Sequence, residues 1–144
     1  MLKINIRTKP MEKMRIKDVG DYYWTISPVP EENIWKIVVA EMENPDYEFL
    51  IALHEFIESY LLKRRGIDFR VVDEYDEKFE KEKGKSPKNA IAGEQKDCPY
   101  RREHIFATKI EKIIAKYLKV NWKKYEKYLD NLLETYDHKI SNSR

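Results

Sequence analysis

Hydrophobic residues follow two different periods along the chain, and the change from one period to the other divides the chain into an N-terminal part that predicts strands and a longer part that predicts helices. At the N-terminus every second residue is apolar, at Leu2, Ile4 and Ile6. A period of two predicts a strand with one buried face. Residues 22–26 and 34–42 are rich in aromatic and β-branched side chains, and we predict a strand in each. A three-stranded, largely antiparallel meander is the simplest sheet that these segments can form.

Helical signals replace this alternation from residue 44 onwards. Asn44 is a typical N-cap, Pro45 suits the first helical position, and Gly66 is a natural helix stop. Further helices are predicted over 72–82, from Pro99 to Lys119, and from Asn121 onwards. In the third helix, helical spacing predicts that an apolar stripe forms the core side: Phe106, Ile110, Ile113 and Tyr117.

These elements predict an α+β fold in which a three-stranded antiparallel sheet packs against about four helices. A bare sheet face needs helices to cover it, and 144 residues suffice for one domain. We place this domain at residues 1–137 and a polar C-terminal tail at 138–144. Residues 83–97 are predicted to form an exposed, mobile loop.

Composition narrows the classes of partner. Hydrophobic residues make up 42% of the chain, enough for a core, and 38% of residues are charged, yet the net charge is only +2. We therefore expect neither nucleic acid nor a membrane as the partner, since both favour a strongly basic protein. Cys98 is the single cysteine, so no intramolecular disulfide can form. Because no apolar run resembles a signal peptide or a membrane span, the expected location is the cytoplasm.

The first predicted helix carries a polar group within an apolar stretch. Between residues 49 and 62 the sequence is FLIALHEFIESYLL, in which only His54, Glu55, Glu58 and Ser59 are polar. A helix this apolar must be buried on most sides. Buried carboxylates need partners, a bound ion or a water-filled cavity, because an unpaired charge is costly to desolvate. The pattern therefore predicts a polar site inside the domain.

The spacing of these residues is that of a metal-binding helix. His54 and Glu58 are four residues apart and project from one face, as the two ligands do in the HExxH helix of metalloproteases. Glu55 occupies the position of the general base, which activates water without binding the metal. His104 in the third helix is the best candidate for the third ligand. Two histidines and one carboxylate suit a divalent metal, most simply zinc, with iron and manganese as alternatives.

Other polar residues are candidates for the same site. Glu111 lies two turns beyond His104 on one face of the third helix, and Asp76 is a candidate fourth ligand. Arg101 and Arg102 precede His104 and suit an anionic group of a ligand at the mouth of the site. The alternative for Asp76 is a solvated surface position, like others in its charged segment.

Parts of the sequence resemble known proteins. A sheet followed by an HExxE helix resembles the zincin metallopeptidases, in which the motif helix packs under a sheet whose edge strand binds peptide. The segments YEFLIALHEFIES, GIDFRVVDEYDEKFE and PYRREHIFATKIE, with VNWKKYE after them, are similar to a family of short uncharacterised proteins often encoded by phages. That similarity covers most of residues 2–130 and implies that one site contains His54, Glu55, Glu58, Asp76, Glu103 and His104. The zincin resemblance implies a minimal zincin-like architecture with His54 as ligand and Glu55 as base, while Glu58 departs from the zincin pattern.

Three functional hypotheses follow. The first is a metal-dependent hydrolase, a zincin-like peptidase acting on a peptide or small-molecule ligand, with His54, Glu58 and His104 as ligands and Glu55 as base. The second is a non-catalytic phage accessory module that binds a ligand or a host protein. The third is a buried His–Glu–His hydrogen-bond network that ties two helices together without metal.

Overall fold

The computed structural model describes residues 2–85 and 90–143, apart from the side chains of Glu31, Lys85, His138 and Ile140. Within these residues the fold is α+β, as predicted, with three strands and four α-helices. The strands are β1 (Ile4–Lys9), β2 (Gly20–Trp24) and β3 (Trp35–Ala40). The helices are α1 (Pro45–Arg64), α2 (Phe69–Glu82), α3 (Arg101–Tyr117) and α4 (Trp122–Asn142). Short 3₁₀ turns cover Met11–Lys13, Pro30–Glu32, Lys83–Lys85 and Ala92–Glu94.

The sheet is mixed, and the prediction of an antiparallel meander was wrong. Its strand order is β1-β3-β2, with β1 parallel and β2 antiparallel to β3. Five of the six β3 side chains are buried. A strand this apolar is most stable at the centre of the sheet, between two neighbouring strands. β1 is largely exposed and lies at the edge; Ile4 packs against the core, whereas Ile6 is exposed.

α1 begins and ends where its local signals predicted. The Asn44 side chain accepts a hydrogen bond from the Asp46 amide at 2.9 Å, and Pro45 is the first helical residue. Gly66 follows the helix with a φ of 75°, a conformation that costs glycine little and other residues more. α1 packs against β2 and β3 on one side and against α3 on another, so it is buried along most of its length.

α3 presents the opposite face to the core from the one predicted. Its buried residues are Glu103, Ala107, Glu111 and Ala115. Three of the four residues predicted to face the core are instead 48%, 62% and 86% exposed, namely Phe106, Ile113 and Tyr117. Small residues at 107 and 115 let α3 approach α1 closely, and α1 provides His54 as the partner of Glu111 and Arg65 as the ion-pair partner of Glu103, although Glu103 Oε2 has no hydrogen-bond partner among the described residues. The choice of the buried face of α3 therefore depends more on close approach to α1 and on polar contacts than on the apolarity of that face.

The other helices differ from their predicted limits by a few residues, and α3 is two residues shorter at each end than predicted. α2 starts at Phe69 rather than at 72, because the Asp68 side chain caps it by accepting a hydrogen bond from the Arg70 amide. α4 continues through residues 138–142, so most of the predicted tail is helical. Residues 86–89 of the predicted 83–97 loop lie outside the described part of the chain. None of the helices in that part is long and apolar enough to cross a membrane.

Candidate metal centre

The interface between α1 and α3 brings three side chains together at one point. His54 Nε2 lies 3.1 Å from Glu58 Oε2, and His104 Nδ1 lies 2.9 Å from the same oxygen. The two imidazole nitrogens are 3.2 Å apart, so the three atoms form a nearly equilateral triangle. Among the described residues this is the group of three that meets the geometric requirement for holding a metal ion. The predicted convergence of His54, Glu58 and His104 is present in the structure.

The antiparallel packing of α1 and α3 explains this convergence. His54 contacts Glu111 and His104, and further along α1 Arg65 contacts Glu103. Later residues of α1 therefore contact earlier residues of α3. The four-residue spacing of His54 and Glu58 places both on the face of α1 that meets α3. A histidine from the second helix then completes the group.

The triangle has the dimensions of one face of a zinc coordination sphere. Ligand atoms about 2.0–2.1 Å from a tetrahedral zinc ion lie about 3.3–3.4 Å from one another. The observed edges of 2.9, 3.1 and 3.2 Å are slightly shorter and need only small side-chain adjustments to reach these values. A tetrahedral zinc ion has a fourth position, which water or substrate occupies in catalytic sites.

Either protons or a metal ion can fill this triangle. If both imidazole nitrogens carry hydrogen, both can donate to Glu58 Oε2, since a carboxylate oxygen has two lone pairs. If the His104 nitrogen is bare, its lone pair instead faces a carboxylate oxygen at 2.9 Å. A cation in the middle would accept all three lone pairs at once. The geometry is therefore compatible with a metal site and with a hydrogen-bond network.

A hydrogen-bond chain behind His54 sets its orientation. Glu111 Oε2 lies 2.8 Å from His54 Nδ1, and Tyr125 donates its hydroxyl hydrogen to Glu111 Oε1 at 2.6 Å. Because an ionised carboxylate only accepts, Nδ1 carries the hydrogen. When the imidazole is neutral, Nε2 then presents its lone pair to the triangle, which is the form that binds metals. Glu111 thus belongs to the site, as predicted, but behind a ligand rather than as one.

Glu58 is held from its other side by the sheet. Tyr22 of β2 donates its hydroxyl hydrogen to Glu58 Oε1 at 2.7 Å, which leaves Oε2 for the triangle. Desolvation acts to raise the pKa of Glu58, but hydrogen bonds from His104 and His54 outweigh it and lower the pKa to about 2. Glu58 is therefore ionised, as a metal ligand must be.

The cluster favours a positive charge at its centre. Burial acts to lower the pKa of His54, but its hydrogen bonds with Glu111 and Glu58 raise that pKa well above the usual range. The negative charge of Glu55 acts in the same direction. A proton on His54 or a metal ion can supply the positive charge that these carboxylates require.

Glu55 lies beside the triangle and faces β2. Gly20 packs directly on its side chain, so a methyl group at that position would overlap the Glu55 carboxylate. Desolvation raises the pKa of Glu55 well above its usual range, and the nearby charge of Glu58 adds to this effect. A carboxylate with a raised pKa is a stronger proton acceptor when ionised, which suits the predicted role of base.

Gly93 performs the same steric role on the other side of the cluster. A methyl group at Gly93 would overlap the His104 ring, so the 3₁₀ turn Ala92–Glu94 lies directly against this candidate ligand. Tyr100 packs its ring edge-on to His104, with centroids 6.3 Å apart. Sequence reasoning missed both glycines because a close approach between distant segments leaves no local signal.

Asp76 lies near the cluster but outside the triangle. It accepts a hydrogen bond from the Tyr100 hydroxyl, and Tyr100 in turn contacts His104. Desolvation raises the pKa of Asp76 to about 7, and the hydrogen bond from Tyr100 only partly opposes this. The charges of Asp18 and Glu58 raise it further.

Three other predicted candidates point away from the triangle. Glu103 is buried but pairs with Arg65 at 3.3 Å rather than with a cluster residue. Arg101 donates from Nε to the Glu94 carbonyl at 3.0 Å, and Arg102 is exposed. Within the described residues neither arginine forms a hydrogen bond or ion pair with His54, Glu58 or His104.

Three residues near the cluster were not predicted. Tyr22 and Tyr125 carry no local signal for the site, although a buried tyrosine needs a partner for its hydroxyl group. Asp18 is exposed as a residue, yet its carboxylate is crowded, and desolvation raises its pKa to about 6. The charges of His54, Glu58 and His104 also act on that pKa.

The chain matches no family model, no curated protein and no solved structure. The resemblance to zincins and to phage-encoded proteins therefore stays a prediction.

Proposed function

We propose that His54, Glu58 and His104 bind one divalent metal ion, most simply zinc, and that the protein is a metal-dependent hydrolase of the zincin-like peptidase type. The observation that carries this proposal is the triangle of ligand atoms, with edges of 2.9–3.2 Å. The chain Tyr125–Glu111–His54 supports it, because a carboxylate behind a metal-binding histidine is the usual way to fix its tautomer.

The balance of charge supports a bound cation. Glu58 and Glu111 contact His54 and are buried, and Glu55, the next residue along α1, is half-buried. Among the described residues, no lysine or arginine forms an ion pair with any of these three carboxylates. Buried carboxylates without a cation are costly, and a divalent ion would neutralise two of the charges.

Glu55 is the residue that would carry the hydrolytic step. A bound divalent ion lowers the pKa of water and polarises a carbonyl group. Glu55 would accept the proton of the attacking water at its carboxylate and then donate it to the leaving amine of the substrate. Its raised pKa suits both transfers, and Gly20 leaves room for its side chain next to the triangle.

Metal analysis of protein purified without chelator tests the binding step. We expect one equivalent of zinc, iron or manganese per chain, or uptake of one equivalent when zinc is added. His54→Ala and His104→Ala should abolish this uptake, whereas Glu55→Gln should retain it. Failure of the wild-type protein to take up any divalent metal would overturn the proposal.

A second candidate function is a metal-binding or structural module without turnover. The side chains of His54, Glu58 and His104 are only 9%, 5% and 17% exposed, and low solvent access is typical of closed, structural sites. Glu55→Gln separates the two candidates when peptide hydrolysis is measured on metal-loaded protein. Loss of activity with full metal content supports the hydrolase, while wild-type protein without any hydrolysis supports the module.

A further inference from the structure

α3 exposes an apolar stripe that a soluble helix would ordinarily bury. The outer stripe consists of Phe106, Ile110, Ile113 and Tyr117, spaced by four, three and four residues along one side of the helix. Ile110 is half-buried and the other three are exposed, Tyr117 most of all. Scattered apolar residues on a surface are ordinary, but a stripe with helical spacing is typical of a surface that another helix covers.

The charges of α3 are sorted between its two sides. Both of its carboxylates, Glu103 and Glu111, face the interior. All five of its cations are exposed: Arg101, Arg102, Lys109, Lys112 and Lys116. The exposed side of α3 therefore combines an apolar stripe with positive charge and carries no anionic side chain.

This sorting argues against a second copy of the chain as the partner. Packing two outer stripes against each other would bring the lysines of both copies, Lys109, Lys112 and Lys116, close to the same interface. Like charges at an interface cost free energy and lower the rate of association. A partner with acidic residues beside its apolar face would instead bind with a more favourable free energy and associate faster.

We propose that the outer stripe of α3 binds an amphipathic helix of a partner protein whose apolar face is bordered by acidic residues. Phe106, Ile113 and Tyr117 would be its anchors, because each offers a large exposed side chain for burial. Lys109, Lys112 and Lys116 would pair with acidic residues along its border. This surface lies on the side of α3 away from His104, so binding there is independent of the metal centre.

Two synthetic peptides test the charge requirement. Each has about 18 residues, with leucines at helical spacing, and they differ only in carrying glutamates or lysines beside the leucines. We expect the full-length protein to bind the glutamate peptide at least about tenfold more tightly in about 0.1 M salt. This ratio should approach one in about 1 M salt, where charges are screened within about 3 Å. Fluorescence anisotropy of the labelled peptides measures both affinities.

A matched pair of substitutions tests the apolar requirement. Ile113→Ser should weaken binding of the glutamate peptide about tenfold, because it removes an exposed anchor without disturbing the core. Ile26→Ser is the control, since Ile26 is 67% exposed and Ile113 is 62% exposed, but Ile26 follows β2. Reversing Lys109, Lys112 and Lys116 to glutamate should invert the preference, so that the lysine peptide binds more tightly.

Four results would overturn this proposal. The first is equal affinity for both peptides, and the second is no binding of either peptide at about 1 mM, a concentration that detects weak complexes. The third is a dimer in sedimentation analysis that Ile113→Ser dissociates. The fourth is binding to vesicles of phosphatidylcholine and phosphatidylglycerol that depends on Ile113 while neither peptide binds, which would assign the stripe to a membrane surface.

Discussion

Two polar clusters lie on opposite faces of β2, and among the described residues only one of them contains an arginine. On one face, Asp21 of β2 and Asp73 of α2 both pair with Arg15, at 2.7 Å and 2.6 Å. On the other face, Tyr22 of β2 bonds to Glu58 in the His–Glu cluster. Successive residues of a strand point to opposite faces, so Asp21 and Tyr22 separate the clusters.

The difference shows what each cluster requires. The Arg15 guanidinium forms two contacts with each aspartate, and these hydrogen bonds raise its pKa despite the opposing effect of desolvation. This cluster is complete within the chain. The His–Glu cluster gathers carboxylates around His54 without an arginine or lysine in ion-pair contact among the described residues, so its positive charge would come from a proton on His54 or from the proposed metal ion.

Loss of a ligand should have the largest effect. We expect His104→Ala to lower zinc affinity by more than about a hundredfold, because two side chains from one helix cannot close the site. Competition with a chromophoric chelator measures the affinity. His138→Ala is the matched control, since it removes the chain's remaining histidine. Equal losses in the two variants would place the metal elsewhere.

Removing the built-in cation should affect stability and leave metal binding unchanged. Arg15→Met leaves the buried Asp21 without its partner, and we expect the free energy of unfolding to fall by about 2–3 kcal/mol in urea denaturation. Adding Asp21→Asn should recover part of this loss, because the unpaired charge is gone. A large change in zinc affinity in Arg15→Met would contradict the separation of the clusters.

The residue behind His54 should have an intermediate effect on metal binding. Glu111→Gln keeps the shape of the side chain but weakens its hold on the Nδ1 hydrogen of His54, and we expect about tenfold weaker zinc binding. Tyr125→Phe should act in the same direction and less strongly, since it removes only the bond to Glu111. Affinities equal to wild type in both variants would argue against His54 Nε2 as a ligand.

The smallest predicted effect concerns pH. The pKa of Asp76 is about 7 in the fold against a reference of 3.8, so folding favours its neutral form. Its contribution to stability is full below about pH 4 and is lost as pH rises through about 7. Asp76→Asn should therefore match wild type near pH 4 and exceed its unfolding free energy by about 1–2 kcal/mol at pH 8, since the half-exposed carboxylate is partly screened. A constant difference between pH 4 and pH 8 would rule this out.

Local signals explain which parts of the fold the sequence predicts. The N-cap at Asn44 and the stop at Gly66 act within a few residues, and both limits of α1 agree with the structure. The order of the strands depends instead on which strand the helices cover. Chain order alone suggests a meander, whereas in the structure β3 is the central strand. The outward face of α3 depends on its fit to α1, so its apolar pattern was misleading.

The same distinction holds within the candidate site. Helical spacing places His54 and Glu58 together, and His104 is the histidine of the third predicted helix. Tyr22, Gly20 and Gly93 reach the site from segments far away in sequence. Their roles arise from tertiary contacts that no spacing rule records.

The two helices that supply the triangle also determine how the protein would open. Separating α3 from α1 must break the contacts of His104 with His54 and Glu58. A metal ion held by both helices would therefore make this opening rarer, and zinc should slow amide hydrogen exchange most strongly in α1 and α3. β1, which lies at the far edge of the sheet, should exchange at nearly the same rate with or without zinc.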